Sequence, residues 1–328
     1  MKQQILNDGR VKDMKVEVQE PKVFANLTYD PGFKIVLGTE GKSERLLMSL
    51  LNHILGLKIV NVKYLPTERL GLTEEESKSF FDVYCKDSSG RRYLIEMQMW
   101  GQHYFHKRAV YYSSLSVQDQ ARVEKEYQKM CERVWDYYFA PVYQISFLNF
   151  PNTLVEPKEE GNGSPYISHY VYKSKDTGRE LGDETNIVFV DLAKFRKKFE
   201  ECDNQCERWL YSIKNMHLLK SAPIGVAGTE LEELYGEAHF AAWPPEKRSL
   251  YEKSIMNRND YENILCERYE DGFAAGIEEG REEGREEGRE EGREEGLVLA
   301  AKNMIAQGLP IDVIMQVTGL SEAQLEKL

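Results

Sequence analysis

The stretch SFFDVYCKDSSGRRYLIEMQMW, residues 79–100, holds the side chains with the clearest chemical potential. Asp82 and Glu96 fall in two successive strand patterns, Phe80–Lys86 and Arg92–Met99, joined through Asp-Ser-Ser-Gly-Arg. Alternation puts Asp82, Tyr84 and Lys86 on one face of the first pattern, and Leu94, Glu96 and Gln98 on one face of the second. Whether the acids meet depends on the turn. A three-residue loop, Ser88-Ser89-Gly90, pairs Asp87 with Arg91 and sets Asp82 directly opposite Glu96. A two- or four-residue loop would split them between faces. Such loops commonly end in a left-handed residue, which glycine supplies without strain, and Gly90 stands there. Two carboxylates on neighbouring strands are hard oxygen ligands suited to Mg²⁺, with Mn²⁺ as the alternative. Mg²⁺ takes one or two carboxylates, keeps several waters and accepts substrate phosphate. The backbone carbonyl of Met97 could complete the protein's share. Gln98 could orient a water or hydrogen-bond a phosphate. A cation so held polarises a phosphoryl oxygen and lowers the pKa of its bound water.

Acids facing out of an antiparallel hairpin are usually just its wet side. Here Phe80, Phe81, Tyr93, Leu94, Ile95, Met97 and Met99 make the hairpin apolar on both faces. A largely buried pair of strands would not carry lone carboxylates without a ligand or partner.

Several elements must position this hairpin. Before it, Leu46, Leu47, Leu50, Leu51, Ile54 and Leu55 recur at helical spacing, with Ser43 as N-cap and Gly56 as stop. Residues 58–65 read as a strand, and a polar stretch follows from Glu74 to Ser79. After the hairpin, His103 to about Arg133 is amphipathic and helical, and VYQISFLN, 142–149, is a buried strand closed by Pro151. The order α-β-β-β-α-β implies a mixed sheet with helices against it. Residues 151–165 read as a loop. Strand patterns at 166–173 and 186–192 follow. A mainly helical region over 194–270 has Trp209, Leu210, Ile213, Leu218 and Leu219 as candidate core, and Pro245 is placed to start a helix.

Residues 276–296 repeat Glu-Glu-Gly-Arg with a period of four. Each interior glycine costs about 0.8–1 kcal/mol relative to alanine. Glu–Arg pairs return only about 0.2–0.5 kcal/mol each. Such a helix is marginal alone, and reads as a solvated spacer or as a stripe for close packing on a partner. The last residues form two short helices around Thr318-Gly319-Leu320, a helix-turn-helix-like unit. Lys327 is the only basic residue after Lys302, which favours an interaction tail over a DNA reader.

With 328 residues, about two domains are expected. Hydrophobic residues at 41% exclude a wholly disordered chain. The net charge of −12 argues against nucleic-acid binding by bulk attraction. Half of that excess lies in the repeat, with ten Glu against four Arg, so the rest of the chain could still carry a local basic groove. The N-terminus has no apolar secretory core and no run reaches a membrane span of about 20 residues, so a cytoplasmic protein is expected. Five cysteines, an odd number, fit reduced thiols rather than a disulfide framework. Cys202 and Cys206, four apart, would need two further ligands to hold zinc, and His103 and His106 have no partner pair.

Asp82, Glu96 and Gln98 form an Asp-x13-Glu-x-Gln version of the PD-(D/E)XK signature. The chain resembles the Rpn family of recombination-promoting nucleases, also called PD-(D/E)XK nuclease family transposases. The resemblance runs over roughly 25–328. It is carried by Asp30-Pro-Gly-Phe33-Lys34, LLMSLLNHILG, FFDVYCKDSSGRRYLIEMQ, HKRAVYY, PVYQISFLNF, IVFVDLAKF, the WLYSIKNM and PPEKRSLYEKS segments, the Glu-Gly-Arg repeat and the TGLS tail.

The resemblance implies an α/β (α+β) fold with a restriction-endonuclease-like mixed sheet and a helical C-terminal region. It implies Mg²⁺-dependent cleavage of DNA linked to recombination or transposition, with no small-molecule cofactor. Carried over by position, Asp82 and Glu96 would be metal ligands, and Gln98 stands where the wider superfamily usually has lysine. Asp30 would be an additional acid, or a helix cap. Lys34, Arg108 and Gln120 are candidate phosphate contacts. Arg108 and Gln120, twelve apart, could share a helix face, with a surface salt bridge as the alternative role for Arg108. The expected division is a polar segment 1–24, a nuclease-like domain 25–192, a helical region 193–272, and a tail 273–328 through which the chain would form homo-oligomers. The other functional expectation is a catalytically weak nuclease-like DNA-binding or scaffold protein that self-associates through this tail.

Overall fold

The computed structural model describes residues 23–66, 81–99, 101, 104–150 and 165–328. Most of the polar N-terminal segment, Glu74–Ser79, Phe80, Trp100, His103 and nearly all of the 151–165 loop lie outside these residues.

Helix α1 (Asp30–Leu37) and helix α2 (Glu44–Leu55) open the described fold. Pro31 pre-sets the first turn of α1. A Cβ at Gly32 would lie 2.1 Å from the Asn26 carbonyl oxygen, so only glycine lets α1 approach that backbone. Ser43 precedes α2, yet its hydroxyl donates to the Val36 carbonyl at 2.8 Å and ties α2 to the end of α1 instead of capping α2. Gly56 ends α2 at φ 67°, as a left-handed cap. The leucines Leu46, Leu47, Leu50 and Leu51 are buried, and each contributes about 1.5–3 kcal/mol.

The strands are β1 (Val62–Tyr64), β2 (Val83–Asp87), β3 (Arg92–Gln98), β4 (Val142–Leu148), β5 (Ile167–Tyr170) and β6 (Thr185–Asp191). They form one six-stranded sheet in the order β1-β2-β3-β4-β6-β5. β3, β4 and β6 run parallel in the middle, and antiparallel strands lie at both edges. All seven residues of β4 are buried, because helices cover both of its faces.

Helix α3 (Phe105–Met130) connects β3 to β4. It packs on one face of the sheet through two apolar clusters. One gathers Phe81, Tyr84, Leu94 and Val142 under Tyr112 and Leu115. The other gathers Phe105, Ala109, Leu148 and Phe189. On the opposite face Phe33 of α1 meets Phe147, with ring centroids 5.4 Å apart.

Helix α4 (Gln205–Asn215) is capped by the Asn204 side chain, which accepts from Glu207 N–H at 2.9 Å. Trp209, Leu210 and Ile213 are core, as their spacing predicts, but Leu218 is 69% exposed. The α-helix stops at Asn215 and a 3-10 turn covers Met216–Leu218. The period shortens to three there, so Met216 points inward and Leu218 outward. Cys202 and Cys206 do not share a helix, since Cys202 follows a separate 3-10 turn. Helix α5 (Glu230–Glu237) follows.

The chain divides into two compact units, 1–252 and 253–328. Helix α6 (Pro245–Ala306) begins in the first and continues through the second. The Glu-Gly-Arg repeat is helical throughout and solvent-exposed along its length. Helix on both sides of the repeat removes the cost of nucleation, which is the step that makes such a segment marginal in isolation. In the second unit, Ala301, Ile314 and Leu325 join α6 to α7 (Ile311–Thr318) and α8 (Glu322–Leu325). Gly319 caps α7 at φ 72°. Ser321 N–H and hydroxyl both reach the Gln324 side chain in a capping box.

Candidate active site

The β2–β3 hairpin has the register that the glycine position predicts. Val83 lies opposite Ile95, Tyr84 opposite Leu94, Cys85 opposite Tyr93, and Lys86 opposite Arg92. Gly90 closes the loop at φ 85°. Asp87 N–H donates to the Arg91 carbonyl at 3.0 Å. Extended by two residues, this register sets Asp82 against Glu96 and Phe81 against Met97.

The ladder does not extend, because the chain bends at Asp82. Phe81 turns into the α3-side core beside Tyr84, and its ring meets that of Tyr112 at 5.0 Å. Strand alternation therefore does not place Asp82. In a continued ladder Met97 N–H would bond the Phe81 carbonyl; instead it donates to Asp82 Oδ2 at 2.6 Å. The carboxylate thus takes the place of a strand carbonyl. Met97 presents its own carbonyl to the same edge, since alternate residues of β3 bond to β4 through Arg92 N–H and the Gln98 carbonyl.

Glu96 and Gln98 lie on the α3 face at the end of β3, both buried. Glu96 forms an ion pair with Arg108 of the first turn of α3, whose Nη2 donates to Glu96 Oε1. The Arg108 guanidinium also lies over the Phe105 and Tyr112 rings, at 5.8 and 5.6 Å. Asp30 is the first residue of α1 and Lys34 lies one turn on. Tyr29 holds the N-cap position, so Asp30 is not the cap.

Asp82 feels Asp30, Lys34 and Arg108. Burial pushes its carboxyl up to about 7, and the neighbouring Asp30 pushes the same way. The Met97 amide, Lys34 and Arg108 oppose this without reversing it. Loss of water around the carboxylate therefore outweighs the nearby positive charge. One guanidinium serves both acids: Arg108 pairs with Glu96 and its charge also acts on Asp82.

Gln120 is not brought to this group. Twelve residues turn an α-helix about 120° past three full turns, so Arg108 and Gln120 face different ways. Both ends of the Gln120 amide are taken by Ala140, at 3.1 Å to its carbonyl and 3.2 Å from its N–H. Gln120 fastens α3 to the entry of β4. The pairing of Arg108 with Glu96 was open to sequence reasoning only as a salt bridge of unnamed partner, because twelve residues and a change of element separate them. The Asp82–Met97 bond had no sequence signal, since it depends on where the strand stops.

Among the described residues no three His, Cys, Asp or Glu side chains converge as a metal cluster. The oxygens that could hold an ion here are the Asp82 and Glu96 carboxylates and the Met97 carbonyl. That donor set fits a Mg²⁺-like ion, which needs few protein ligands and keeps its waters. It does not resemble a closed zinc site.

A mixed sheet with helices on both faces and an acid-bearing hairpin at the strand ends is a restriction-endonuclease-like fold, with a helical C-terminal region beyond it. A family model described as PD-(D/E)XK nuclease family transposase matches residues 27–268. A second, described as the C-terminal HTH domain of the Rpn/YhgA-like nuclease family, matches residues 300–328. The chain belongs to the PD-(D/E)XK nuclease family transposases. No curated protein and no solved structure matches it. Among the described residues no helix is long and apolar enough to cross a membrane.

Proposed function

We propose that this nuclease-family protein is a DNA endonuclease that hydrolyses phosphodiester bonds with Mg²⁺ or Mn²⁺ held by Asp82, Glu96 and the Met97 carbonyl. The observation that carries the reading is the single Arg108 guanidinium acting on both acids, Glu96 buried and Asp82 half-buried. Buried carboxylates need a compensating cation, and a side-chain cation can exchange with a metal where a saturated hydrogen-bond shell cannot. When bound, the metal supplies Lewis acidity and an acidified water. Asp82 must be ionised to act, which favours neutral or higher pH for a group raised to about 7. Gln98, next along the α3 face of β3, orients the attacking water. Lys34 and a released Arg108 take up charge on the phosphate. Purified protein incubated with plasmid and Mg²⁺ tests the proposal. Cleavage should be present in the wild type and lost in Asp82→Ala and Glu96→Ala; full cleavage by either variant rejects the assignment.

One observation favours a second reading. Glu96 already has a close cationic partner, and Gln98 adds no positive charge where lysine is usual in the superfamily. A catalytically weak DNA-binding or scaffold protein would show no heat with Mg²⁺ or Mn²⁺ at millimolar concentration. In either reading, residues 273–328 form homo-oligomers; removing them should abolish self-association in sedimentation and leave the first unit folded.

A further inference from the structure

The exposed face of α3 carries a stripe that none of the candidate site residues uses. Lys107, Tyr111, Gln118, Arg122, Lys125 and Lys129 are all exposed. Their spacings of four, seven, four, three and four residues place them within about a 60° sector of the helix. No carboxylate falls within the sector. Asp119, at its flank, is engaged by Arg92 at 2.8 Å and by Arg122 at 3.0 Å. Glu124, on the other side, accepts from Gln128 at 3.1 Å. Glu126 lies exposed beyond the edge. Over the whole helix five Lys and Arg stand against three Asp and Glu, in a chain of net charge −12.

The stripe has two further properties. It starts at Lys107, in the same first turn of α3 as the Arg108 that pairs with Glu96, so its N-terminal end lies at the end of the helix that carries the candidate active-site arginine. It also has aromatic surfaces along it. Tyr111 is half exposed. Lys107 lies 5.3 Å from the Tyr104 ring, and Lys125 lies 5.0 Å from the ring of Trp135, itself stacked on Tyr137. From Lys107 to Lys129 the stripe runs about 33 Å, at 1.5 Å per residue. That matches about ten base pairs of B-form DNA.

We infer that this face of α3 is a track for the DNA phosphate backbone, leading into the Asp82–Glu96 site. The identity of the partner rests on the nuclease reading above; the track itself is argued from charge, spacing and position. Arg122, Lys125 and Lys129, one turn apart, neutralise neighbouring phosphates and Lys107 a separate one about 22 Å along the helix, while Tyr111 and Gln118 between them contact sugar or base without sequence preference. Among the described residues Lys107, Lys125 and Lys129 form no ion pair, Lys107 and Lys125 lying instead over aromatic rings, whereas Arg122 is tied to Asp119.

The test uses the full chain and two fluorescein-labelled probes, a 30-base-pair duplex and one of its strands. Binding is followed by fluorescence anisotropy in EDTA, so that neither metal nor cleavage enters. The triple variant Lys107→Gln/Lys125→Gln/Lys129→Gln should weaken binding at least tenfold. Its slope of log Kd against log salt should be shallower by about 2 to 3, at about 0.9 for each phosphate no longer neutralised. The charge-matched control Lys58→Gln/Lys63→Gln/Lys175→Gln, exposed elsewhere on the first unit, should bind as wild type. Tyr111→Ala should weaken the single strand more than the duplex if bases stack there. Loss on either probe with the stripe variant alone supports the track and says which form it prefers. Unchanged binding of both probes, or an equal loss in the control, overturns it. Circular dichroism melts of both triple variants show that the fold is kept. Cleavage in Mg²⁺ with unchanged stripe affinity sinks the track and spares the nuclease; stripe-dependent binding without cleavage does the reverse.

Discussion

The two ends of the β2–β3 hairpin each draw an aspartate out of bulk water, Asp87 buried and Asp82 half-buried, and they treat it in opposite ways. At the turn, Asp87 is 7% exposed and surrounded by donors. Its Oδ1 accepts from Ser89 N–H at 2.9 Å and Arg91 N–H at 3.0 Å, its Oδ2 accepts from the Tyr93 hydroxyl at 3.0 Å, and Arg91 adds charge at 3.7 Å. At the open end, among the described residues, Asp82 receives the Met97 amide and the fields of Lys34 and Arg108, opposed by Asp30. A buried acid that the fold saturates with fixed donors is a turn-former. A half-buried acid left to long side chains, with its pKa raised, has the character of a working group.

The sharpest way to break this contrast is activity. Asp82→Ala and Glu96→Ala should lower DNA cleavage by about 10²–10³-fold, the usual cost of losing one preorganised electrostatic group. Asp87→Asn should cleave normally once refolded protein is compared at equal folded concentration. Similar losses for all three would show that the ends do not differ in role.

The next effect is on stability, and its sign follows from Asp82. The folded chain holds the Asp82 proton more tightly than the unfolded chain, whose aspartates titrate near 4. Wild-type stability from this group is therefore fully present below about pH 4 and lost as pH rises through about 7. Asp82→Asn keeps an oxygen for the Met97 amide and removes the ionisation. In urea denaturation its advantage over wild type should widen by about 2–3 kcal/mol between pH 5 and pH 8, at 1.36 kcal/mol per pKa unit. An advantage that does not change with pH would refute the burial argument.

Asp87→Ala should cost about 2 kcal/mol, because it strands a buried hydroxyl and two loop amides. A midpoint in urea equal to that of wild type would mean the turn does not need its carboxylate. The smallest effect sharpens the role of Arg108. Arg108→Gln removes the competitor for Glu96, so Mn²⁺ binding by calorimetry should tighten about tenfold, about 1.4 kcal/mol, while cleavage falls. Weaker binding in this variant would show that the guanidinium does not stand where a metal would.

The same contrast explains what could be read from the chain alone. The turn end was legible, since loop length, Gly90 and alternation are local and together set the register. Leu46 to Ile54 and the strand 142–148 were legible for the same reason: their patterns are periodic and strong. The open end was only half legible. The acids are identifiable by type, but the bend at Asp82 ends the alternation by which the sequence faces it towards Glu96. Arg108 and Gln120 were placed on one helix face by turn count, whereas the true offset of about 120° sends one to Glu96 and the other to Ala140. Leu218 failed at a change from α to 3-10 geometry, which composition does not announce.

The bond from the Met97 amide has a consequence for coordination. It engages Oδ2 of Asp82 at the sheet edge, so an ion held as proposed above would be met chiefly through Oδ1. In the proposed site Asp82 would thereby be a monodentate donor. That denticity suits a small octahedral cation, and it withholds the two-oxygen grip by which larger ions such as calcium often fill their looser shells.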